Sequence, residues 1–460
     1  MKLHFCGGAG VVTGVNYLLE TKNAKILVDC GLFQGSKDLE HKNSEPFSYD
    51  PKKIKAVIVS HSHLDHIGRL PQLIKAGFEG KIYATPPTID FTRLILEDSV
   101  RVLEEKARKA GVVPLFSQND VSELMQRFVA ADYYKRTQAT DDIYFTFHEA
   151  GHILGSAVIE LETDGKKIIF SGDLGNPPAP LLRPPDFLDS ADYVLVESTY
   201  GDRNHEPPQE CEAKIEKVIE DTLSRGGVLM IPSFALERTQ QLLYHLNNLI
   251  EHHRIPRVPV YIDSPLASRI TEIYKKYPQY FNKQTVFEID SGDDIFNFPG
   301  LRFTHSSKES KEINEVPPPK IIIAGSGMSQ GGRIVHHEVR YLSGPKNTLL
   351  LVTYQAEGTL GRLISDGAKK VEILDQAVTI NAKVEKISGY SAHADQRFLM
   401  DWLRSFKKSC YMKDQSVCHE IKKIFIVQGE IKAAQTLMGL VRDELGVDAE
   451  VPDVGAIAEI

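Results

Sequence analysis

Short apolar runs, each bounded by polar residues or glycine, recur along the first 200 residues of the chain. The runs are AVIVS (56–60), AVIEL (157–161), KIIF (167–170) and YVLVE (193–197). Their length and their content of β-branched residues are typical of buried strands. The segment IGRLPQLI (67–74) has instead the spacing of a helix start. The pattern predicts a sheet-rich first part of the chain, with a strand-to-helix loop at residues 61–66.

The middle of the chain shows a different pattern, in which helical and strand periods alternate. The predicted helices cover about 209–225, 237–250 and 266–277, and the predicted strands cover 226–233, 258–263, 319–324 and 348–353. Alternation of this kind is typical of a parallel sheet covered by helices. The sequence therefore predicts an α/β protein whose middle segment contains a parallel sheet.

Residues 61–66 read HSHLDH, which puts three imidazoles and a carboxylate into six positions directly after a predicted strand. Imidazole and carboxylate are ligands for transition metals, and a chain that aims several ligands at one small volume must leave the strand and coil around the metal. The alternative is a surface cluster of histidines, which the specificity of the pattern disfavours. We therefore predict that His61, His63, Asp65 and His66 are metal ligands.

Three more residues beside glycine can complete the metal site: His152 in GHILGS, Asp173 in SGDLG and His393 in SGYSAHAD. Glycine allows the backbone to turn a ligand inward at these points. Five histidines and two aspartates suit Zn²⁺ better than Mg²⁺, so we predict two zinc ions bridged by one carboxylate.

The late position of His393 in the chain implies an insertion. Because the other six predicted ligands all lie before residue 175, a large segment must separate the two parts of one metal-binding domain. We predict a first part at residues 1–203, an inserted domain at 204–383 and a C-terminal part at 384–460.

The composition indicates the cellular environment of the protein but adds no candidate site residues. The chain has 460 residues, 42% of them hydrophobic and 25% charged, and a net charge of −8, which argues against nonspecific coating of nucleic acid but allows a local basic channel. Its five cysteines include no CxxC pair, and no stretch has the pattern of an export signal or of a membrane span. We therefore expect a cytoplasmic protein without membrane contact.

The order of these motifs resembles that of a known family. VDCG (28–31), HSHLDH, GHILGS and SGDLG resemble the metallo-β-lactamase fold. ESTYGDR (197–203), YQAEGTLGR (354–362) and SGYSAHAD resemble its β-CASP branch, which contains RNA-processing nucleases. The resemblance covers nearly the whole chain. It implies a metallo-β-lactamase αββα sandwich with an inserted parallel-sheet α/β (β-CASP) domain.

The resemblance also implies a role for each site residue. His61, His63 and His152 would hold one zinc ion, and Asp65, His66 and His393 would hold the other. Asp173 would bridge the two ions, and Asp29 would support the ligands from behind. The catalytic residues would be Asp65, Asp173 and Glu197, of which Glu197 would begin a proton relay to the leaving oxygen.

The function that the resemblance implies is a zinc-dependent ribonuclease. It would hydrolyse single-stranded RNA and leave 5′-phosphate and 3′-hydroxyl ends, and a homodimer is left open. Two other classes also stay open. One is a binuclear zinc hydrolase of the same fold that acts on a small molecule, and the other is a noncatalytic RNA-binding subunit.

The inserted segment offers residues that could hold a phosphodiester. The stretch IIIAGSGMSQGGRIVHH (321–337) contains a Gly/Ser-rich loop between a strand and a helix, an arrangement that suits phosphate, although a tight structural turn is the alternative. The predicted substrate-binding residues are Ser233, Arg238, Ser326, Gly327, Arg333, Tyr354 and Arg362.

Two positions depart from the family's pattern. Relatives have a histidine that partners the relay acid, and its position here aligns with Leu363, so Glu197 would have to work through water, through one of the metal-bound groups, or through a histidine from elsewhere such as His336 or His337. The second departure is Gln428 in VQGE (427–430), where many relatives have a histidine.

Overall fold

The computed structural model describes residues 1–206, 208–356, 358–412 and 420–460. The chain divides into a first unit, residues 1–204 and 393–460, and a second unit, residues 205–392. In the sequence the second unit therefore interrupts the first. The predicted limits of the insertion were 204 and 383.

Both units contain strands and helices. The strands are β1 (Lys2–Gly7), β2 (Asn16–Glu20), β3 (Lys25–Val28), β4 (Ala56–Ile58), β5 (Lys81–Ala84), β6 (Phe128–Ala130), β7 (Thr137–Gln138), β8 (Tyr144–Glu149), β9 (Ala157–Thr163), β10 (Lys166–Phe170), β11 (Tyr193–Glu197), β12 (Val228–Pro232), β13 (Val260–Asp263), β14 (Leu301–Phe303), β15 (Lys320–Ala324), β16 (Thr348–Leu351), β17 (Lys370–Ile373), β18 (Gln376–Thr379), β19 (Lys383–Lys386), β20 (Lys423–Val427), β21 (Ala449–Glu450) and β22 (Ile457–Glu459). The α-helices are α1 (Lys37–His41), α2 (Leu64–Ile67), α3 (Leu70–Lys75), α4 (Pro86–Ala110), α5 (Gln118–Met125), α6 (Pro208–Ser224), α7 (Arg238–Glu251), α8 (Pro265–Lys276), α9 (Lys283–Asp290), α10 (Ser307–Glu312), α11 (Ile334–Tyr341), α12 (Leu360–Ser365), α13 (Gln396–Met412) and α14 (Ile431–Leu440).

The first unit is built on two seven-stranded sheets. Their strand orders are β22-β1-β2-β3-β4-β5-β6 and β21-β20-β11-β10-β9-β8-β7. Side chains of both sheets, among them Phe5 and Ile58 from one and Phe170 and Phe425 from the other, meet in one buried core. Strands expose alternate side chains on opposite faces, so each sheet turns one apolar face to its partner.

The other face of the second sheet is covered by helices. Ile169, Val194 and Ile426 point to this side and pack in one buried cluster with Trp402 of α13 and Leu437 of α14. Long helices also follow the strands of the first sheet, in which β3 to β6 are joined as parallel neighbours. The predicted αββα sandwich is confirmed.

The second unit contains a parallel six-stranded sheet in the order β14-β13-β15-β12-β16-β19. Every neighbouring pair in this sheet is parallel, which confirms the predicted α/β class of the insertion. The sheet includes β19, so the second unit continues beyond residue 383, where the insertion was predicted to end. A separate hairpin joins β17 and β18.

Within the described residues, no helix has both the length and the apolar character needed to cross a membrane. Cys6, Cys30 and Cys211 are free thiols. Cys410 lies in α13, and Cys418 lies outside the described residues.

Candidate metal centre

The HSHLDH segment leaves the carboxyl end of β4 and turns at once into a short helix. His61 and His63 lie before the helix, whereas Asp65 and His66 lie inside the single turn of α2, so the ligands are not all in a loop as the sequence predicted. Gly31 allows this turn to pass close to the chain after β3, because a β-carbon on Gly31 would lie 1.5 Å from the Asp65 carbonyl oxygen. The approach leaves space only for glycine.

Asp29 holds the HSHLDH segment in place through its contacts with Ser60 and His66. Its Oδ1 accepts the backbone N–H of Ser60 at 2.8 Å, and its Oδ2 accepts the Ser60 hydroxyl at 2.7 Å. The same Oδ2 lies 2.8 Å from Nδ1 of His66, while the Ser60 hydroxyl lies 3.0 Å from Nδ1 of His61. Each of these two rings is therefore oriented through Nδ1, which leaves Nε2 directed to the centre. The sequence analysis missed Ser60, although its position directly before HSHLDH was a usable signal.

Four ligand atoms converge at a first metal position. Nδ1 of His63 lies 3.1 Å from Nε2 of His61 and 3.1 Å from Nε2 of His152. Oδ2 of Asp173 lies 3.4 Å from each of those two Nε2 atoms. These four residues form a group with ligand atoms close enough to hold one ion.

The spacing of these atoms fits a metal. Ligands about 2.0–2.1 Å from a tetrahedral zinc ion are roughly 3.3 Å from one another, close to the separations observed. Nδ1 of His63 faces two other imidazole nitrogens at hydrogen-bond distance, an arrangement that a cation between the three rings would satisfy. Burial holds the pKa values of His63 and His152 well below the usual range, so both rings are neutral and can donate a lone pair.

Asp173 joins the first position to a second one. Its Oδ1 lies 3.2 Å from Nε2 of His66, and Oδ2 of Asp65 lies 3.7 Å from the same nitrogen. Burial opposes charge on Asp173, but His66 and His61 outweigh it and hold the pKa of this carboxyl well below its usual range. An ionised carboxylate with one oxygen on each side has the geometry of a bridge.

Gln428 is the other neighbour of His66 at this second position. Its side-chain amide lies 3.0 Å from Nε2 of His66 and is buried. The sequence analysis noted Gln428 only as a departure from relatives and gave it no contact. Since 362 residues separate the two side chains in the chain, no local pattern could reveal the pairing.

His393 and Glu197 form a pair beside Asp173. Nδ1 of His393 lies 3.1 Å from Oε2 of Glu197 and 3.8 Å from Oδ2 of Asp173. The other Glu197 oxygen, Oε1, accepts the backbone N–H of Leu174 at 2.6 Å. Burial disfavours a charged His393 ring, but Glu197 outweighs it and raises the pKa of His393 to about 9.

Glu197 has a histidine neighbour although its aligned partner position is Leu363, because Nδ1 of His393 lies 3.1 Å from its carboxylate. The proposed position of that partner, Leu363, is an exposed side chain on α12 of the second unit. Of the suggested substitutes, His337 is buried with Nε2 2.7 Å from Asp263 and so is already paired. The sequence analysis assigned His393 to the second metal, and this assignment stays a prediction, since Asp173, Glu197 and His393 form a group whose ligand atoms are close enough to hold an ion.

The predicted phosphate-binding arginines of the second unit differ in their surroundings. Arg238 is buried, donates to Gln241 and lies over the ring of Tyr390 at 5.6 Å. Arg333 pairs with Asp263 at 2.6 Å, and Arg362 pairs with Asp366 at 2.9 Å. Arg238 is thus not the surface charge that a helix start suggested, and the roles of all three arginines in binding RNA stay predictions.

The remaining predicted binding residues follow the carboxyl ends of neighbouring parallel strands. The Ser233 N–H donates to the carbonyl of Ala324 at 3.0 Å, which joins the ends of β12 and β15. In the adjoining loop, the Ser326 hydroxyl accepts the N–H of Gln330 and the Gly327 carbonyl accepts the hydroxyl of Thr353. Tyr354 follows β16 and is partly exposed.

Comparison with known families agrees with this architecture. Residues 9–210 match the metallo-beta-lactamase superfamily, residues 239–364 match the Beta-Casp domain, and residues 377–452 match the Zn-dependent metallo-hydrolase RNA specificity domain. Together these matches extend over most of both units. The chain belongs to the β-CASP branch of the metallo-β-lactamase superfamily.

Individual relatives are similar along most of the chain. Ribonuclease TTHA0252 of Thermus thermophilus is 40% identical over 86% of this chain and 89% of its own length. An RNase J-like protein of Methanocaldococcus jannaschii is 34% identical over 88% and 90%. Transcription termination factor FttA of Methanosarcina mazei is 32% identical over 96% of this chain and 69% of its own length. A solved structure of a protein of unknown function from Enterococcus faecalis shares the fold, with a TM-score of 0.56 at 12% identity over 99% of both chains.

Proposed function

We propose that the chain is a metal-dependent ribonuclease that hydrolyses single-stranded RNA and leaves 5′-phosphate and 3′-hydroxyl ends. The observation that carries this proposal is the pairing of a complete set of metal ligands with the Glu197–His393 dyad, beside the same Asp173 carboxylate. Relatives named as a ribonuclease and as an RNase J-like protein support RNA as the substrate. Because the described cysteines are free thiols, which is typical of a reducing compartment, we expect the enzyme to work in the cytoplasm.

We propose two metal positions, with zinc at least at the first. His61, His63 and His152 would hold the first ion, His66 and Asp65 the second, and Asp173 would bridge them. Divalent ions held in this way lower the pKa of a water molecule towards neutrality and neutralise charge on phosphate oxygens. The protein supplies the orientation, since Asp29 and Ser60 hold the rings of His61 and His66 at fixed angles.

His393 can act as a ligand of the second metal or as a proton donor, and we propose the second role for it. Its Nδ1 faces the Glu197 carboxylate, and both oxygens of that carboxylate already have N–H neighbours. An imidazole held through Nδ1 keeps Nε2 for a second task. We propose that Nε2 of His393 protonates the leaving 3′-oxygen, with Glu197 stabilising the charged ring, a step that contributes roughly 10²- to 10⁴-fold in similar enzymes.

Burial of the centre supports a single-stranded substrate. The side chains of His61, His66 and Asp173 are at most 1% exposed, and the more open neighbours Asp65 and His393 are only 17% and 23% exposed. A phosphodiester must therefore enter a recess to reach the ligands. A flexible strand can bend into it, whereas the stacked backbone of an A-form duplex is too stiff and wide to follow.

The test is a product analysis on one RNA sequence labelled in turn at its 5′ and 3′ ends, offered as a single strand and as a duplex. We expect the single strand to be cut faster, and we expect every new 5′ end to accept a ligase without prior phosphorylation. Efficient hydrolysis of a β-lactam or an acyl thioester, with RNA left intact, would replace the proposal by a small-molecule hydrolase. Binding of RNA without cleavage by the metal-replete protein would leave a noncatalytic subunit.

A further inference from the structure

Two exposed aromatic side chains of the second unit, Phe234 and Tyr354, follow neighbouring parallel strands. Phe234 comes shortly after β12 and Tyr354 shortly after β16, and these two strands are paired in the sheet. The side chain of Phe234 is 41% exposed and that of Tyr354 is 44% exposed. Both rings therefore lie at the carboxyl edge of a parallel sheet, the edge at which α/β proteins bind their ligands.

Both aromatic residues are held close to Gly327, in the loop that follows β15. A β-carbon on Gly327 would lie 3.1 Å from the ring of Phe234, so the glycine packs directly against that ring. The Gly327 carbonyl accepts the hydroxyl of Thr353 at 2.7 Å and the side-chain amide of Gln355 at 2.9 Å. Tyr354 lies in the chain between these two donors, so one glycine joins the segments that present the two rings.

The backbone of Phe234 is fixed although its ring is exposed. Its carbonyl accepts the hydroxyl of Thr239 at 2.7 Å and the hydroxyl of Ser233 at 3.2 Å, and both of these donors are buried. The N–H of Ser233 donates in turn to the carbonyl of Ala324 at 3.0 Å. A ring on a backbone held in this way loses little further freedom when a ligand binds to it.

The accessible residues of the same loops are mainly small or polar. Ser326, Gln330 and Thr353 are at least partly exposed, beside a partly exposed Met328. A surface that binds another protein would carry a larger continuous apolar patch. Aromatic rings among hydroxyl and amide groups suit a flat ligand with polar edges, and a nucleobase has this shape and chemistry.

Resting on the proposed ribonuclease function, we infer that Phe234 and Tyr354 each stack on a base of the single-stranded substrate. Stacking uses the π-face that every base has, so this contact tolerates any sequence but requires a base. In a duplex both faces of each base are covered by the neighbouring base pairs. The two rings therefore add a second reason, besides the recessed metal centre, for a preference for single strands.

Kinetics on single-stranded RNA test the role of Phe234. Phe234→Leu keeps an apolar side chain against Gly327 but removes the π-face. We expect KM to rise roughly 5- to 100-fold while kcat stays within about twofold, because stacking away from the reacting phosphate is the same in the ground state and the transition state. Phe234→Tyr should keep the wild-type KM. Phe287→Leu, on an exposed aromatic residue of α9, should change neither constant.

Fluorescence of RNA that carries 2-aminopurine at one position at a time tests stacking itself. Stacking quenches this base, and a stopped-flow record separates the binding phase from later cleavage. We expect quenching to be lost at one position in Phe234→Leu and at another in Tyr354→Leu, and to be kept in Phe234→Tyr and Tyr354→Phe. An abasic site at either position should weaken binding by the wild type but not by the leucine variant that lacks the matching ring.

Unchanged KM and quenching in both leucine variants would overturn the inference, as would abasic sites that weaken the wild type and the variants equally. A change of sedimentation in Phe234→Leu, with RNA binding unaltered, would assign the rings to a protein contact instead. These results leave the ribonuclease function standing if RNA is still cut. Position-specific quenching without any cleavage would overturn the ribonuclease function and keep the two rings as an RNA-binding surface.

Discussion

Gly31 lies so close to Asp65 that a single added methyl group would overlap the Asp65 carbonyl oxygen, at 1.5 Å. The backbone N–H of Cys30 also donates to the carbonyl of His66 at 2.7 Å, so the segment after β3 and the metal-binding turn are in direct contact. We therefore expect Gly31→Ala to displace the turn, to lower the free energy of unfolding by about 1–3 kcal/mol or more, and to reduce metal content.

The matched control for Gly31→Ala is Gly439→Ala in α14, where an added β-carbon meets no atom within 4 Å. Alanine in a helix interior should raise the free energy of unfolding by about 0.5–1 kcal/mol. Chemical denaturation and elemental analysis of both variants give the comparison. Normal metal content in Gly31→Ala would show that the turn tolerates displacement.

Removal of one ligand from the first position should cost both metal and activity. Nδ1 of His63 lies 3.1 Å from Nε2 of both His61 and His152, so His63→Ala leaves two imidazoles and one carboxylate at the first position. We expect loss of the bound zinc and of RNA cleavage, measured by elemental analysis and on labelled RNA. His41→Ala, on an exposed residue at the end of α1, should change neither. Full activity of a metal-free His63→Ala protein would contradict a metal-dependent mechanism.

The Glu197–His393 pair should act as one unit. We expect Glu197→Gln and His393→Ala each to slow cleavage by roughly 10²-fold, because each removes the charged pair that assists the leaving oxygen. The double variant should be no slower than the more damaging single variant, since residues that act together are not additive. Zinc at the first position should stay bound in all three.

Leu363→His serves as the comparison for that series. Its side chain is exposed on α12, and Glu197 already has a histidine partner, so we expect an unchanged cleavage rate. A faster enzyme would show that the alignment to Leu363 has catalytic meaning after all.

Glu338 of the second unit should make stability depend on pH. Its side chain is buried, and burial raises the pKa of this carboxyl to about 8, with the Ser329 hydroxyl opposing the shift. Between about pH 4.5 and pH 8 the unfolded chain has released this proton and the folded chain has not, so wild-type stability falls as pH rises. The slope is at most about 1.4 kcal/mol per pH unit.

Glu338→Gln removes this titration. We expect the variant to gain stability relative to the wild type as pH rises from 5 to 8, in urea unfolding followed by circular dichroism. Glu312→Gln, on an exposed residue of α10, should show no such trend. A constant difference between Glu338→Gln and wild type over this range would mean that Glu338 is ionised in the fold.

The metal centre was readable from the sequence where its parts are local. HSHLDH is contiguous, and His152 and Asp173 stand beside glycines at the ends of strands whose apolar pattern is strong. The roles of His393 and Gln428 depended on partners far along the chain. Glu197 lies 196 residues before His393, and His66 lies 362 residues before Gln428. The bridge between Gly175 and His393 and the parallel pairing of β20 with β11 contribute to these contacts, and no local periodicity specifies either.

The parts of the fold that the sequence predicted were again those that depend on local patterns. The alternation in the middle of the chain predicted the parallel sheet, because β12, β13, β15 and β16 are buried and flanked by helices. The limit at residue 383 fell within the sheet of the second unit, since β19 is short, half exposed and recognisable only through its pairing with β16.

Because the second unit interrupts the first in the sequence, the residues of the metal centre are synthesised at different times. His61, His63, His152, Asp173 and Glu197 are all synthesised before the second unit, but His393 and Gln428 follow it. At about 5–20 residues per second, the second unit alone takes roughly 10 to 40 s to synthesise. During that interval the nascent chain has neither the partner of Glu197 nor strand β20. A nuclease assembled in this order cannot cut the messenger that encodes it until translation is almost complete.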